Sequence, residues 1–167
     1  MPLHHPSPGG EKMDRLKEWT CIYVKNKDLL QRKLQNQTEK GNTLTFHYKD
    51  KIHEYVIQEQ LSNCFQHKTS TPSLTFVCPA TPLNLDYILK NWRQLITCPF
   101  QFIFVNLKNN DKWILNPSTH HLIADESTLE LGLKSMFANV AGLPLPPEPK
   151  HRRKDKKDEE PEESEEE

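Results

Sequence analysis

Residues 74–107, LTFVCPATPLNLDYILKNWRQLITCPFQFIFVNL, decide the fold of this chain. The β-branched and apolar residues of Leu74–Cys78 predict one strand, and the nearly continuous apolar run Phe100–Leu107 predicts a second strand, covered on both faces. Between them, Pro82–Ile96 begins with a proline that follows a threonine, which is typical of a helix start. This order predicts a right-handed crossover between two parallel strands of one sheet.

The predicted helix carries a regular apolar stripe that identifies its buried face. Leu85, Leu89 and Trp92 recur at helical spacing, so they lie on one side of the helix. We therefore expect these three side chains to pack against the sheet that contains Phe102 and Phe104.

Two predicted hairpins and a last helix surround this unit. Apolar and polar residues alternate along Thr43–Tyr48, and a short polar connection leads to Ile52–Ile57, which predicts the first hairpin. An Asn-Asn-Asp turn leads into Lys112–Asn116 and predicts the second hairpin. A helix is expected at Ser127–Val140, because its first serine and a glutamate three residues later form a capping-box pattern.

The N-terminal third is less regular. Within Glu11–Tyr23 the apolar spacing favours a short helix, but the aromatic and β-branched residues of Trp19–Val24 favour a strand after it. Asp28–Lys40 has leucines at helical spacing, and Gly41 is a typical residue just beyond a helix end. We therefore expect helix, strand and helix in this order before the first hairpin.

Together these elements predict an α+β or mixed α/β fold, with a mixed sheet of about five strands packed by helices. Residues 11–141 are expected to form a single globular domain, since this length is enough to bury a core. Residues 1–10 contain three prolines and two glycines, and residues 142–167 begin with a proline-rich linker. We expect both terminal segments to be disordered.

Charge is distributed unevenly along the chain. Residues 1–147 carry 16 Lys/Arg and 13 Asp/Glu, so this part lacks the strongly basic surface of a dedicated nucleic-acid binder. A basic block at 150–157 precedes eight acidic residues within 158–167. The cations of the block are Lys150, Arg152, Arg153, Lys154, Lys156 and Lys157. The block is a candidate contact for nucleic acid or an acidic partner, and the alternative is a solubilising tail whose halves pair loosely.

The four cysteines, Cys21, Cys64, Cys78 and Cys98, follow no CxxC spacing. Scattered cysteines without a secretory signal are typical of free thiols in a reducing compartment. The sequence shows neither a signal-peptide pattern nor an apolar run of membrane-spanning length. These features predict a cytoplasmic protein without a membrane partner.

Pro117–Asp125 is the strongest candidate site. It places His120, His121 and Asp125 in a predicted loop between a strand end and a helix N-terminus, where sites are often built. A histidine beside a carboxylate has the chemistry of a general base. The alternative is a polar loop held by side-chain-to-backbone hydrogen bonds. Adjacent histidines on an extended backbone point in opposite directions, which disfavours a shared metal, and we predict no metal and no cofactor.

The first predicted hairpin carries a second group of polar residues. His47 and His53 lie close to Asp50 and Glu54 in the sequence, but Val56 stands where a metal-dependent nuclease of the restriction-enzyme kind needs a lysine. We therefore expect these polar residues to pair across the two strands on the solvent face.

Three functional hypotheses are compatible with this sequence. The first is a small intracellular, non-catalytic interaction module that contacts an unidentified protein through its tail or an exposed sheet edge. The second is an enzyme centred on His120, His121 and Asp125. The third is a nucleic-acid-associated accessory protein that uses the basic block at 150–157. The first requires no catalytic motif and is the main hypothesis, with the oligomeric state left open.

Overall fold

The computed structural model describes residues 8–67, 73–122 and 125–147. Its helices are α1 (Pro8–Asp28), α2 (Pro82–Lys90), α3 (Trp92–Leu95), α4 (Pro117–His120) and α5 (Glu126–Ala141), with a 3-10 turn at Cys64–Gln66. Its strands are β1 (Leu34–Lys40), β2 (Thr43–Tyr48), β3 (Ile52–Ile57), β4 (Leu74–Pro79), β5 (Phe100–Asn106) and β6 (Asp111–Leu115). None of the described helices is long and apolar enough to cross a membrane.

The described strands form one mixed sheet in the order β1-β2-β3-β4-β5-β6. β1, β2 and β3 form an antiparallel meander, β3, β4 and β5 are parallel neighbours, and β6 returns antiparallel to β5. The predicted fold class, the first hairpin and the parallel pair around the central helix are confirmed. The sheet has one strand more than the sequence predicts.

Helices cover both faces of the sheet. On one face α1 lies over a core that consists of Leu16, Val24, Leu44, Phe46, Tyr55, Ile57, Val77, Ile103 and Val105. On the other face α2, α3 and α5 lie over the aromatic rings of Phe76, Phe102 and Phe104. Alternate residues of β4 and β5 serve the two cores, which explains why these central strands are apolar throughout.

The predicted strand at Trp19–Val24 is wrong, because this segment belongs to α1. The buried residues recur every four positions, with Leu16 and Thr20 fully buried and Val24 almost so. The Thr20 hydroxyl donates to the Leu16 carbonyl over 2.7 Å, which satisfies it inside the helix. Burial of one helical stripe therefore outweighs the local preference of the aromatic and β-branched residues.

The predicted helix at Asp28–Lys40 is also wrong, because a turn and β1 occupy this segment. The Asp28 carboxylate accepts hydrogen bonds from the backbone N–H groups of Lys33 and Leu34, at 3.0 and 2.9 Å. These bonds favour a turn over another helical turn. Gly41 has a φ of 59° and forms the connection between β1 and β2, not a helix end.

The central helix is divided at Asn91, where the sequence predicts one helix to Ile96. The Asn91 side-chain amide donates to the Tyr87 carbonyl over 2.8 Å, and its backbone leaves the helical region. Leu85 is buried as predicted, whereas Leu89 and Trp92 are only partly buried against the core. The break therefore leaves the tryptophan at the margin of the core.

The last helix begins one residue before the predicted serine. Asp125 precedes its first turn, and the Asp125 carbonyl accepts from the backbone N–H groups of Thr128 and Leu129. Gly142, with a φ of 71°, ends the helix. Of the segments 1–10 and 142–167, for which the sequence predicts disorder, residues 1–7 and 148–167 lie outside the described residues, whereas residues 8–10 begin α1.

Candidate functional site

The His120 ring lies at the end of α4 and is tied to the main chain. His120 Nδ1 lies 2.9 Å from both the backbone nitrogen and the carbonyl oxygen of Asn116, which links the ring to the residue that follows β6. Pro117, the first residue of α4, is buried and holds this turn against the domain. The segment that the sequence predicts to be a loop thus contains a short helix.

His121 is tied to the main chain in the same way, but it faces a different part of the surface. Its Nδ1 bonds to the Pro117 carbonyl over 3.1 Å. Because α4 is helical, consecutive side chains diverge by about 100° around its axis. His121 lines a groove between α3 and α5, whereas His120 and Asp125 line another groove, between β6 and α5.

The structure therefore brings together two of the three predicted catalytic residues and separates the third. Asp125 is exposed at the start of α5 and shares a groove with His120. Within residues 8–67, 73–122 and 125–147, no group of three or more His, Cys, Asp or Glu side chains is arranged to hold a metal. A catalytic role for His120, His121 and Asp125 stays a prediction.

We call the groove between β6 and α5 the edge groove. It has a volume of about 760 Å³, within the range of known ligand sites. It is lined by Trp113, Leu115, His120, Asp125, Thr128, Leu129, Leu131, Gly132, Leu133, Ser135 and Met136. Its walls are mainly apolar, and Met136 at its margin is 51% exposed.

Gly132 provides an open wall in the middle of the edge groove. No described atom lies within 4 Å of the position where a Cβ would stand on Gly132, its own helix backbone aside. The absence of a side chain costs helix stability, on the order of 1 kcal/mol. The glycine therefore leaves space beside α5 that no described part of the fold occupies.

A separate polar site, which the sequence analysis missed, lies at the C-terminal end of α1. We call it the charged pocket; its volume is about 140 Å³. It is lined by Lys27, Asp28, Gln31, Lys33, Tyr48, Asp50, Lys51, His53 and Tyr55. Elements distant in the sequence, namely α1, the turn after it, β2 and β3, supply these side chains.

The His53 ring is held on two sides within the charged pocket. It stacks on Tyr55 with ring centroids 4.4 Å apart, and its Nε2 lies 2.7 Å from Thr75 Oγ1. The Thr75 hydroxyl donates to Gln101 Oε1 over 3.1 Å, so it accepts from the Nε2–H of the imidazole. This chain across three strands fixes the tautomer and leaves Nδ1 as the acceptor nitrogen.

The environment of His53 keeps its ring neutral. Burial, together with the nearby ammonium groups of Lys51 and Lys27, lowers the pKa of His53 from 6.5 to about 4. Burial lowers the pKa because a charged imidazolium loses its hydration, and the two lysines lower it because they repel the positive charge. The neutral imidazole thus follows first from burial and then from the two lysines.

One sequence signal would have found His53. The register pairs His53 with Phe46 across the first hairpin, and residues directly opposite in a sheet share a face. Phe46 belongs to the apolar stripe of β2, so His53 had to lie on the same buried face. The expectation that this histidine pairs on the solvent face is wrong for that reason.

The basic block at 150–157 lies outside the described residues, so its role in nucleic-acid binding stays a prediction. Comparison with known proteins finds no matching family model, no similar curated protein and no similar solved structure. Function is therefore inferred from the residues of this chain alone.

Proposed function

We propose that this protein is a small intracellular interaction module that binds an extended, apolar segment of a partner protein along β6. The observation that carries the proposal is the edge groove, an apolar channel that runs beside an outer strand of the sheet. Such a strand has unpaired N–H and C=O groups that can pair with a further strand.

The position of β6 supports this mode of binding. It pairs with β5 alone among the described strands. In an antiparallel pair, alternate backbone groups of the outer strand face away from the neighbour. An extended segment laid along β6 would satisfy these groups through its own backbone.

The side chains around the edge groove supply the apolar part of the contact. Trp113 and Leu115 line it from β6, whereas Leu133 and Met136 line it from α5. Side chains on one face of an added strand would enter the groove at every second position. Gly132 leaves room for them, which gives a reason for a glycine inside a helix.

The chemistry of the edge groove favours binding over catalysis. Its titratable side chains are His120 and Asp125, which lie at the end of α4 and the start of α5. The Nδ1 of His120 already contacts the main chain of Asn116, so the ring is part of the turn. Both residues therefore act in this proposal as a polar rim around an apolar centre, the arrangement typical of interfaces.

A displayed library of random peptides, selected on the immobilised full chain, tests the proposal directly. We expect the selected peptides to have apolar residues at alternate positions. A synthetic peptide from the selection should slow amide hydrogen exchange in β6, because its backbone would bond to that strand. Selected peptides that protect β1 or another surface instead of β6 would contradict the proposal.

A matched pair of variants sharpens the experiment. Gly132 lines the edge groove, and a Cβ added there meets no described atom within 4 Å, so we expect Gly132→Leu to fill the groove without disturbing the fold. Lys134→Leu adds the same side chain on the opposite side of α5, at an exposed position. We expect the first variant to weaken peptide binding at least about tenfold and the second to leave it within about twofold. Equal binding by both variants would refute the proposal.

A further inference from the structure

The charged pocket lies on the other face of the sheet from the edge groove, and its charges are not balanced. The Asp28 carboxylate accepts hydrogen bonds from the backbone N–H groups of Lys33 and Leu34. Asp50 pairs with the Lys33 ammonium group at 3.0 Å. Both carboxylates of the pocket are therefore already engaged.

Two ammonium groups of the charged pocket remain without a carboxylate. Within the described residues, neither Lys27 nor Lys51 forms an ion pair with an acidic side chain. Each instead lies near an aromatic face, with Lys27 Nζ 5.9 Å from the Tyr23 ring centroid and Lys51 Nζ 5.4 Å from that of Tyr48. The rings hold the cations near the pocket without neutralising them.

We propose that the charged pocket binds a small phosphate monoester through the ammonium groups of Lys27 and Lys51. The pocket is lined by three lysines and two aspartates, a net charge of +1 that favours an anion, and the acceptor oxygens of a phosphoryl group match the rotatable donors of lysine. Tyr48 and Gln31 line the same pocket, and a phenol hydroxyl and a side-chain amide are hydrogen-bond donors that a phosphate can use.

The size and rigidity of the charged pocket support a small ligand. Its volume of about 140 Å³ is small compared with that of the edge groove. One wall consists of the stacked rings of His53 and Tyr55, and the bond from His53 to Thr75 fixes that wall to the centre of the sheet. A preformed wall reduces the ordering that a ligand must impose, which favours binding.

The test is a titration of the full chain with inorganic phosphate and, separately, with methyl phosphate, at constant ionic strength. The ring resonances of His53 report occupancy by nuclear magnetic resonance. We expect saturable shifts with both ligands, with dissociation constants that agree within about threefold. The reason is that the methyl group of methyl phosphate would project from the open side of the charged pocket and make no contact with it. An absence of saturable shifts up to ~20 mM ligand, or binding of inorganic phosphate alone, would overturn the proposal.

Charge variants separate a specific site from a general attraction. Lys27→Met and Lys51→Met should each weaken the affinity at least about tenfold, whereas Lys51→Arg should retain most of it. Lys49→Met is the matched control, because Lys49 is exposed nearby but does not line the pocket. Thermal unfolding checks that each variant is folded. Equal weakening by Lys49→Met and Lys51→Met would overturn the proposal, since it would show a diffuse electrostatic effect.

Discussion

The two outer strands of the sheet differ in almost every respect. β1 is exposed along most of its length and carries polar and charged side chains such as Glu39 and Lys40. β6 places Trp113 and Leu115 in the core and leaves its charges, Asp111 and Lys112, at one end. Proteins protect sheet edges with charge because unpaired strands associate. The chain protects one edge in this way and leaves the other apolar, and the proposed contact with a partner along β6 rests on this difference.

The largest expected difference between the two edges is their contribution to stability. Trp113 is 6% exposed and stacks on Phe104 with centroids 5.2 Å apart. Trp113→Ala should lower the free energy of unfolding by about 3–5 kcal/mol, as large truncations in cores do. Thr38→Ala on β1 should change it by less than about 0.5 kcal/mol, because the residue is exposed. Urea unfolding measures both, and a loss below about 1 kcal/mol for Trp113→Ala would contradict the assignment of β6 to the core.

A second difference concerns pH, because the charged pocket lies in the β1 half of the sheet. The pKa of His53 is lowered from 6.5 to about 4, so the folded ring stays neutral where the unfolded ring is protonated. The unfolded state then binds the extra proton, and stability falls as the pH decreases from 6.5 towards 4. After allowance for solvent screening, the loss is on the order of 2 kcal/mol.

The variant His53→Phe tests this prediction, because it keeps a ring against Tyr55 but has no group that titrates. We expect its free energy of unfolding to depend less steeply on pH between 6.5 and 4 than that of the unmodified chain. Urea unfolding at a series of pH values provides the comparison. Parallel pH profiles for the two proteins would contradict the predicted linkage.

The glycines next to the two edges should respond to alanine in opposite directions. Gly132 lies inside α5 with open space around it, so Gly132→Ala should raise the free energy of unfolding by about 1 kcal/mol. Gly41 in the β1–β2 turn has a φ of 59°, a conformation that strains a residue with a side chain. Gly41→Ala should therefore lower the free energy of unfolding by about 1 kcal/mol. Thermal unfolding of both variants measures the difference. A destabilised Gly132→Ala would show that the space beside α5 is occupied.

The smallest expected effect is that of the ion pair which ties β1 to α1. Lys17 Nζ lies 2.7 Å from Glu39 Oε1, and the Glu39 side chain is 52% exposed. Such a pair contributes less than about 1 kcal/mol because water screens it. A double-mutant cycle with Lys17→Met and Glu39→Gln measures the coupling energy, which should fall further in high salt. A coupling above about 2 kcal/mol would show that β1 is held more firmly than its exposure indicates.

The central elements could be predicted because their local signals and their burial agree. The strand at Leu74–Pro79 has strand-like composition and is buried on both faces. The helix after it has a proline at its start and an apolar stripe that faces one of the two cores. At Trp19–Val24 the local signals and the burial disagree. The residue types favour a strand, but the residues that are buried recur at helical spacing. In the next segment, two backbone hydrogen bonds to the Asp28 carboxylate favour a turn over a helix. The spacing of apolar residues in the sequence gives no sign of these bonds.

The sites were harder to predict than the fold, because they depend on contacts between distant segments. In the sequence, the clustered polar residues of Pro117–Asp125 predict a site, yet the two histidines of this segment line different grooves. His53 belongs to no cluster that predicts a site in the sequence, yet residues from three other elements surround it. The hairpin register alone would have placed it on the buried face, whereas the lysine from α1 required the tertiary structure.

The order of the sheet has a consequence for how the chain is made. Each strand pairs with the strand that precedes it in the sequence, so during synthesis on the ribosome every new strand emerges after its partner. Among the described strands, pairing joins only neighbours in the sequence, which favours rapid folding. The sheet is thus suited to assemble from its N-terminal end while translation continues, and β6 is the last of the described strands to join.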